Sequence, residues 1–281
     1  MRRTILAVLY LATLAALGAL AWRGREYYEL PLAERPRHEL HWQLKPGGEI
    51  GRLYGIGGAS LMTAMLSYSA RKRIPFLRRA GTLSSWLDFH IWCGVTGPLL
   101  IVLHSALKIG GLIAIAFWSM VAVALSGILG RFLYAQIPRT AAGDQLSLDE
   151  ARRLAADLEQ RLRAEIGGGA GGLDAPAASD DGRSGVFAAL AALALEPLRA
   201  RARFARFRRA HPGLPRPLAR RLRRAMRQSA LLERRIALWR RIHELFHYWH
   251  VFHKPFAILM YLFAAVHIGV AFATGYGFGT G

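Results

Sequence analysis

Four histidines in two apolar segments share one spacing. His90 and His104 are 14 residues apart in one segment, and His253 and His267 are 14 residues apart in the other. In a straight α-helix, this spacing returns both side chains to within roughly 40° of one face and separates them by about 21 Å along the axis. In helices that supercoil with a repeat of about 3.5 residues, 14 residues make two heptads, so both histidines face the same neighbouring helix.

Two such helices side by side would form two His–His pairs at two depths. A pair of neutral imidazoles is the protein ligand set of a six-coordinate haem, which passes electrons and binds no substrate at its iron. The single cysteine, Cys93, excludes an iron–sulfur cluster, an intrachain disulfide and covalent attachment through Cys-x-x-Cys-His. We therefore predict two noncovalent haem b groups whose iron ligands are His90, His104, His253 and His267.

The elements that must position these histidines are membrane helices. Of the 281 residues, 53% are hydrophobic, yet the net charge is +20, so apolar and basic residues must lie in separate segments. Five apolar runs approach the roughly 20 residues that cross a bilayer, at 5–22, 56–70, 91–107, 112–134 and 256–273. These runs predict an all-α integral membrane helix bundle of five spans, four of which surround the two haems.

The basic residues between the spans predict the orientation. The clusters at 2–3, 71–73 and 78–79 are rich in arginine and lysine, and such clusters stay on the cytoplasmic side of a membrane. We therefore predict a multi-pass protein of the bacterial inner membrane, with its N-terminus in the cytoplasm and its C-terminus outside. We interpret the first span as a retained anchor, with a signal peptide cleaved after Ala21 as the alternative.

This topology predicts how the histidines pair. The third and fifth spans run parallel, so His90 is level with His253 on the cytoplasmic side, and His104 is level with His267 on the outer side. His250 is a rival ligand, but it is 17 residues from His267, about 100° away from the shared face. We therefore prefer His253.

The predicted spans divide the chain into four segments. Residues 1–25 form the N-terminal membrane anchor, and residues 26–137 hold spans two to four with the first ligand helix. Residues 138–246 form a basic, helical, cytoplasmic insertion. Residues 247–281 hold the last span with the second ligand helix.

The insertion carries most of the net charge. Sixteen arginines and one acid lie between Arg199 and Arg241. Apolar residues between the arginines favour amphipathic helices on an anionic membrane leaflet, with docking of an acidic redox partner as a second interpretation. The cytoplasmic location beside the membrane argues against nucleic acid. Ser147 and Glu150 form a capping-box pattern, and the glycine-rich residues 167–185 predict a flexible linker.

Small and basic residues near the ligands suggest how a porphyrin would be accommodated. Gly94 and Gly97 let a flat macrocycle approach the third span, although glycine also permits close helix packing. Arg131 and Lys254 lie at the cytoplasmic face and are candidates to neutralise haem propionates, although positive charge there also serves topology. We predict all four as cofactor-binding residues, with the packing and topology interpretations left open.

The two His-x13-His pairs give the chain a family resemblance. It resembles the di-haem, bis-histidine membrane cytochromes b, most closely the ferric-reductase-like transmembrane group, with cytochrome b561 similar in architecture. The resemblance covers about residues 50–135 and 250–273 and implies a four-helix haem bundle. No Gly-x-Gly-x-x-Gly motif follows a strand pattern, so the flavin and nicotinamide module that often accompanies the ferric reductases is not expected.

The predicted function is electron transfer between the two membrane faces, with redox proteins or quinone as partners. One alternative is a subunit that oxidises or reduces quinone beside one haem. The other is a non-redox membrane scaffold whose basic arm recruits an acidic protein. His38 and His41, in the outer segment near Trp42, either contact a redox partner or quinone or belong to a solvated loop.

Overall fold

The protein is all-helical, as predicted. A computed structural model describes residues 2–111, 113–137, 147–166 and 186–275, and no strand occurs in these ranges. Eleven α-helices follow one another there: α1 Arg2–Arg23, α2 Arg25–Glu29, α3 His41–Leu44, α4 Glu49–Ala64, α5 Ser67–Arg73, α6 Leu83–Ser105, α7 Ile113–Gln136, α8 Leu148–Ile166, α9 Val186–Ala210, α10 Arg216–Ala237 and α11 Trp239–Ala273. The predicted linker at 167–185 lies outside the described residues.

Four of the described helices are long and apolar enough to cross a membrane: Thr4–Arg23 within α1, α6, α7 and α11. The predicted second span is shorter than expected. It forms α4, whose 16 residues extend about 24 Å, less than the roughly 30 Å of a hydrocarbon core. The chain then turns at Met65 and Leu66 into α5. A fifth span built from α4 and α5 therefore stays a prediction.

The helices belong to two compact units, residues 1–128 with 251–281 and residues 129–250. In the first unit, α4, α6, α7 and α11 share an apolar core centred on buried Met62, Met120 and Met260. The Tyr261 hydroxyl donates a hydrogen bond of 2.5 Å to the Met62 carbonyl oxygen, which ties α11 to α4. Four helices therefore pack around one core, the number that the sequence predicts for the bundle.

A buried arginine organises the segment between α1 and α4. The guanidinium of Arg35 donates hydrogen bonds to the carbonyl oxygens of Leu30, Tyr28 and Ala106. Ala106 follows the last residue of α6 and has a left-handed backbone, with φ of 46°. Arg35 therefore fastens this segment, which we call the Arg35 segment, to the end of α6 two residues after His104.

The second unit buries the apolar side of its basic helices. Phe204 and Phe207 of α9 pack against Leu222 and Met226 of α10, and all four are buried. The sequence interpretation placed these side chains on the acyl chains of a leaflet. In the structure they contact protein instead, because the break at 211–215 lets α10 fold back onto α9.

Two features of the helices in this unit depart from local helix signals. α9 contains Pro197 and continues through it to Ala210. Leu238, which is fully buried, separates α10 from α11. The break lets Leu238 join a core with Ile137, Leu193 and Ile242, so tertiary packing overrides the local helical pattern.

The capping box at the start of α8 is confirmed. The Ser147 backbone N–H donates to Glu150 Oε2 at 2.7 Å, and the Glu150 N–H donates to Ser147 Oγ at 3.2 Å. We expect Ser147→Ala to weaken the first turn of α8 by about 1 kcal/mol, measured as faster amide hydrogen exchange there. Gln160→Ala, an exposed change later in the same helix, is the control. Unchanged exchange in the Ser147 variant would contradict this role.

The same cap is sensitive to acid. Its hydrogen bonds from Ser147 lower the pKa of the Glu150 carboxyl below its ordinary value of 4.5. A carboxyl with a lowered pKa stabilises the folded state above its ordinary pKa, and this stabilisation disappears as the pH falls through the lowered value. The protection of the first turn of α8 should therefore decrease below pH 4.5, and it should decrease less in Glu150→Gln.

Candidate functional site

The structure brings two of the predicted ligands together. The rings of His104 on α6 and His267 on α11 have centroids 6.4 Å apart and planes inclined by 58°. Two metal–nitrogen bonds of about 2 Å each, plus about 1 Å from each nitrogen to its ring centre, require a centroid separation of about 6 Å. The two imidazoles therefore lie at the separation needed to hold one metal ion between them.

His104 is held by the backbone of α4. Its Nδ1 donates a hydrogen bond of 2.8 Å to the carbonyl oxygen of Gly51, and a ring that donates from Nδ1 keeps a lone pair on Nε2. Histidines that bind metals are held in this way by their second nitrogen. Gly55 provides the space, since a Cβ there would lie 2.7 Å from His104 Nδ1.

His90 is held in the same way at the other end of α6. Its Nδ1 donates to the carbonyl oxygen of Met65 at 3.0 Å, just beyond the end of α4. Its ring also lies 5.3 Å from that of Tyr68. The Nδ1 proton again leaves the Nε2 lone pair for a ligand.

His253 on α11 is oriented by Ser126 on α7. The Ser126 hydroxyl donates its one proton to the Val123 carbonyl oxygen at 2.9 Å, so its oxygen accepts from His253 Nδ1, 2.7 Å away. Three of the four predicted ligands therefore donate from Nδ1 to an oxygen of a neighbouring helix or of the turn that follows it. The hydrogen bond between Ser126 and His253 was not predicted from the sequence.

The Ser126 contact leads to a measurable prediction. If His253 binds a haem as predicted, we expect Ser126→Ala to weaken retention of that haem about tenfold, because the ring loses the acceptor that fixes its orientation. Apomyoglobin added as a haem acceptor measures this retention. Ser126→Thr keeps the hydroxyl and is the control. Equal retention in the alanine and wild-type chains would show that Ser126 does not orient the ligand.

The structure does not bring the other predicted pair together. His90 is anchored next to the end of α4 and His253 on α7, and no ring contact among the described residues joins them. Their pairing stays a prediction. His250, the rival ligand, donates from Nδ1 to the Phe246 carbonyl oxygen of its own helix at 2.8 Å.

The two predicted glycines differ in their surroundings. A Cβ on Gly97 would lie 2.8 Å from Met62 Cγ and 3.2 Å from the Gly58 carbonyl oxygen. Gly97 therefore permits close packing of α6 on α4. Close packing is one of the two interpretations that the sequence left open, and space for a porphyrin is the other. A Cβ on Gly94 would meet only Met65 Sδ, at 3.9 Å, so close helix packing does not require glycine there, and its role beside a porphyrin stays a prediction.

The predicted partners of the haem propionates are exposed. Arg131 lies with its guanidinium 6.0 Å from the ring of Tyr134, and Lys254 is exposed on α11. Arg71, in the basic cluster at 71–73, is buried and donates to the Gly81 carbonyl oxygen at 2.7 Å. It therefore stabilises the turn before α6.

The donor set fits a haem better than a bare metal ion. Among the described residues, no group of three or more His, Cys, Asp or Glu side chains is placed to hold a metal. A pair of imidazoles satisfies a metal only when something else supplies the remaining ligands. A porphyrin supplies four nitrogens and leaves two axial positions, which is the number that His104 and His267 can fill.

Comparison with known proteins identifies no relative: no protein family, curated protein or solved structure matches the chain. The candidate site therefore depends on its own geometry.

Proposed function

We propose that this protein is a membrane cytochrome b that carries electrons between the two faces of a bilayer. Two noncovalent haem b groups would be held by His104 with His267 and by His90 with His253. The observation that carries the proposal is the His104–His267 ring separation of 6.4 Å. The hydrogen bonds from Nδ1 support it, because they direct the Nε2 lone pairs of three ligands away from the backbone.

The residues of the chain would set how the cofactor behaves. A bound haem supplies one-electron chemistry at an iron with no open position. The acceptors on Nδ1 increase the basicity of the imidazoles and fix their orientation. The core of Met62, Met120 and Met260 lies among the helices that carry the ligands, and it would keep water away from the path between them.

The absorbance spectrum of the purified full-length protein tests the proposal. We expect the bands of a reduced b-type haem after dithionite is added, and two haems per chain by pyridine haemochrome assay. A protein that contains no haem after expression with an adequate haem supply would favour the non-redox scaffold. Covalently retained haem would contradict the noncovalent sites.

The location in a bacterial inner membrane, with the N-terminus in the cytoplasm and the C-terminus outside, is part of the proposal. Four helices of sufficient length and hydropathy support a membrane location. Redox proteins on either face would be the partners. Cysteine labelling at the two ends of the chain, in sealed vesicles and after permeabilisation, tests the orientation.

The Arg35 segment favours a second candidate function, oxidation of a quinol. His41 Nδ1 and the Tyr27 hydroxyl lie 3.3 Å apart, in the segment that Arg35 fastens to the end of α6. Burial, followed by the charges of Lys45 and Lys108, lowers the pKa of His41, so its imidazole is neutral and able to accept a proton at pH 7. Reduction of the haems by a quinol, slowed in His41→Gln with the haem content unchanged, would support this candidate.

A further inference from the structure

Four arginines surround a cavity on the surface of the second unit. The cavity has a volume of about 240 Å³ and is lined by Phe204, Arg208, Arg216, Ala219, Arg220 and Arg223. The four arginines are exposed, and the Phe204 and Ala219 that also line the cavity are buried. We call this feature the arginine pocket. Its lining combines up to four guanidinium groups with an apolar surface.

Among the described residues, no acidic side chain neutralises the positive charge of the pocket. Its four arginines form no ion pair within the described part of the chain, although acids are present on the same two helices. Glu196 on α9 is buried and paired with Arg203, and Glu233 on α10 accepts a hydrogen bond from the Ser229 hydroxyl at 2.7 Å. The positive charge of the pocket is therefore left for an external anion.

The packing of α10 determines which of its side chains are available to bind such an anion. The apolar side of α10 is buried, with Leu222 fully so and Met226 in the core against α9. What α10 presents to the outside is its arginines. This unit can therefore bind a surface by charge and hydrogen bonding, but α10 cannot insert an apolar face into acyl chains as a free amphipathic helix does.

We propose that the arginine pocket binds the phosphate of an anionic glycerophospholipid headgroup. Guanidinium groups bind phosphate oxygens through two parallel N–H groups, and a concave pocket suits a compact tetrahedral group better than a flat protein surface. Arg216 is also the first residue of α10, where the helix dipole favours an anion.

The connections of the chain indicate a lipid as the source of the phosphate. The unit that holds the pocket continues at both ends into helices that could cross a membrane, α7 and α11. Chain connectivity therefore tethers the unit that holds the pocket to two candidate membrane helices, whereas a soluble anion must be captured from solution. A lipid on this pocket would fasten the insertion to the membrane surface.

Binding of a short-chain lipid to the full-length protein in detergent tests the proposal. The probe is dioctanoyl phosphatidylglycerol, with dioctanoyl phosphatidylcholine, inorganic phosphate, polyglutamate and duplex DNA as comparisons. The test variant is Arg220→Gln with Arg223→Gln. The matched control is Arg206→Gln with Arg227→Gln, which removes the same charge from exposed arginines that do not line the pocket.

We expect the pocket variant to bind phosphatidylglycerol at least about tenfold more weakly and the control variant to bind it almost as well as wild type. Equal losses in both variants would overturn the proposal in favour of diffuse attraction to the whole arginine surface. Equally tight binding of inorganic phosphate or phosphatidylcholine would overturn the choice of an anionic lipid. Tighter binding of polyglutamate or DNA would indicate an acidic protein or a nucleic acid instead.

The variant Arg220→Lys with Arg223→Lys provides a second measurement. Lysine keeps the positive charge but lacks the planar guanidinium group that binds phosphate through two parallel N–H groups. We expect a loss of several-fold, smaller than that of the glutamine pair. Circular dichroism checks the fold of each variant. The haem content is measured in the same samples, so the lipid proposal and the cytochrome proposal can fail separately.

Discussion

Replacing His267 with alanine is expected to lower the haem content of the purified protein from two haems per chain to one. The ring of His267 lies 6.4 Å from that of His104, so its removal would leave the haem proposed for this pair with one protein ligand. The same haem should be lost in His104→Ala and in the double variant, because the two imidazoles act as one unit. Pyridine haemochrome assay and a redox titration measure how many haems remain.

The other histidines supply the controls for this prediction. His90→Ala should also lose one haem, but the other one, so the potential that survives in its redox titration should differ from the one that survives in His267→Ala. His250→Ala should lose neither. Retention of both haems in His267→Ala, or loss of the same haem in the His90 and His267 variants, would contradict the predicted pairing.

Adding one methyl group at Gly55 is expected to remove the haem proposed for His104 and His267 as well. A Cβ at this position would lie 2.7 Å from Nδ1 and 2.8 Å from Cε1 of His104, so the ring has to move away. That movement breaks its hydrogen bond to the Gly51 carbonyl oxygen and changes the separation of its ring from that of His267. We expect retention of the haem proposed for His104 and His267 to fall by about 100-fold, at the upper end of the effect of removing a partner of a metal ligand.

A matched control lies two residues further along α4. A Cβ at Gly57 would lie 3.6 Å from Leu100 Cδ1, an ordinary contact, so Gly57→Ala should keep both haems. Alanine also favours a helix over glycine by about 1 kcal/mol, so a loss in Gly55→Ala cannot come from helix propensity. Haem transfer to apomyoglobin measures both variants. Equal retention in the two would show that Gly55 does not position His104.

Several features of the fold could be predicted because they depend on local sequence. The spacing of 14 residues singled out His104 and His267 as candidate ligands, and their ring centroids lie 6.4 Å apart. Composition located the helices α1, α6, α7 and α11, and the Ser147–Glu150 pattern located the start of α8. In each of these cases, a few neighbouring residues determine the outcome.

Other features depend on which helices pack together. The sequence interpretation assigned the apolar side chains between the arginines to a membrane leaflet, but Leu222 and Met226 are buried against α9. Gly97 is in contact with α4, and α10 ends where Leu238 enters a core. An amphipathic pattern shows that one face will be buried, but it does not specify whether protein or lipid covers that face.

The sequence by itself determined the candidate ligands, the helical class and the apolar segments, because side-chain type and helical period are properties of neighbouring residues. The tertiary structure decided what holds each ligand in place. Gly51 and Met65 accept these hydrogen bonds through their backbone carbonyl oxygens. Every residue has such an oxygen, so no sequence pattern identifies the ones that will accept. Only the way α4 packs against α6 brings those oxygens opposite His104 and His90 and leaves the Nε2 atoms of both histidines for a ligand.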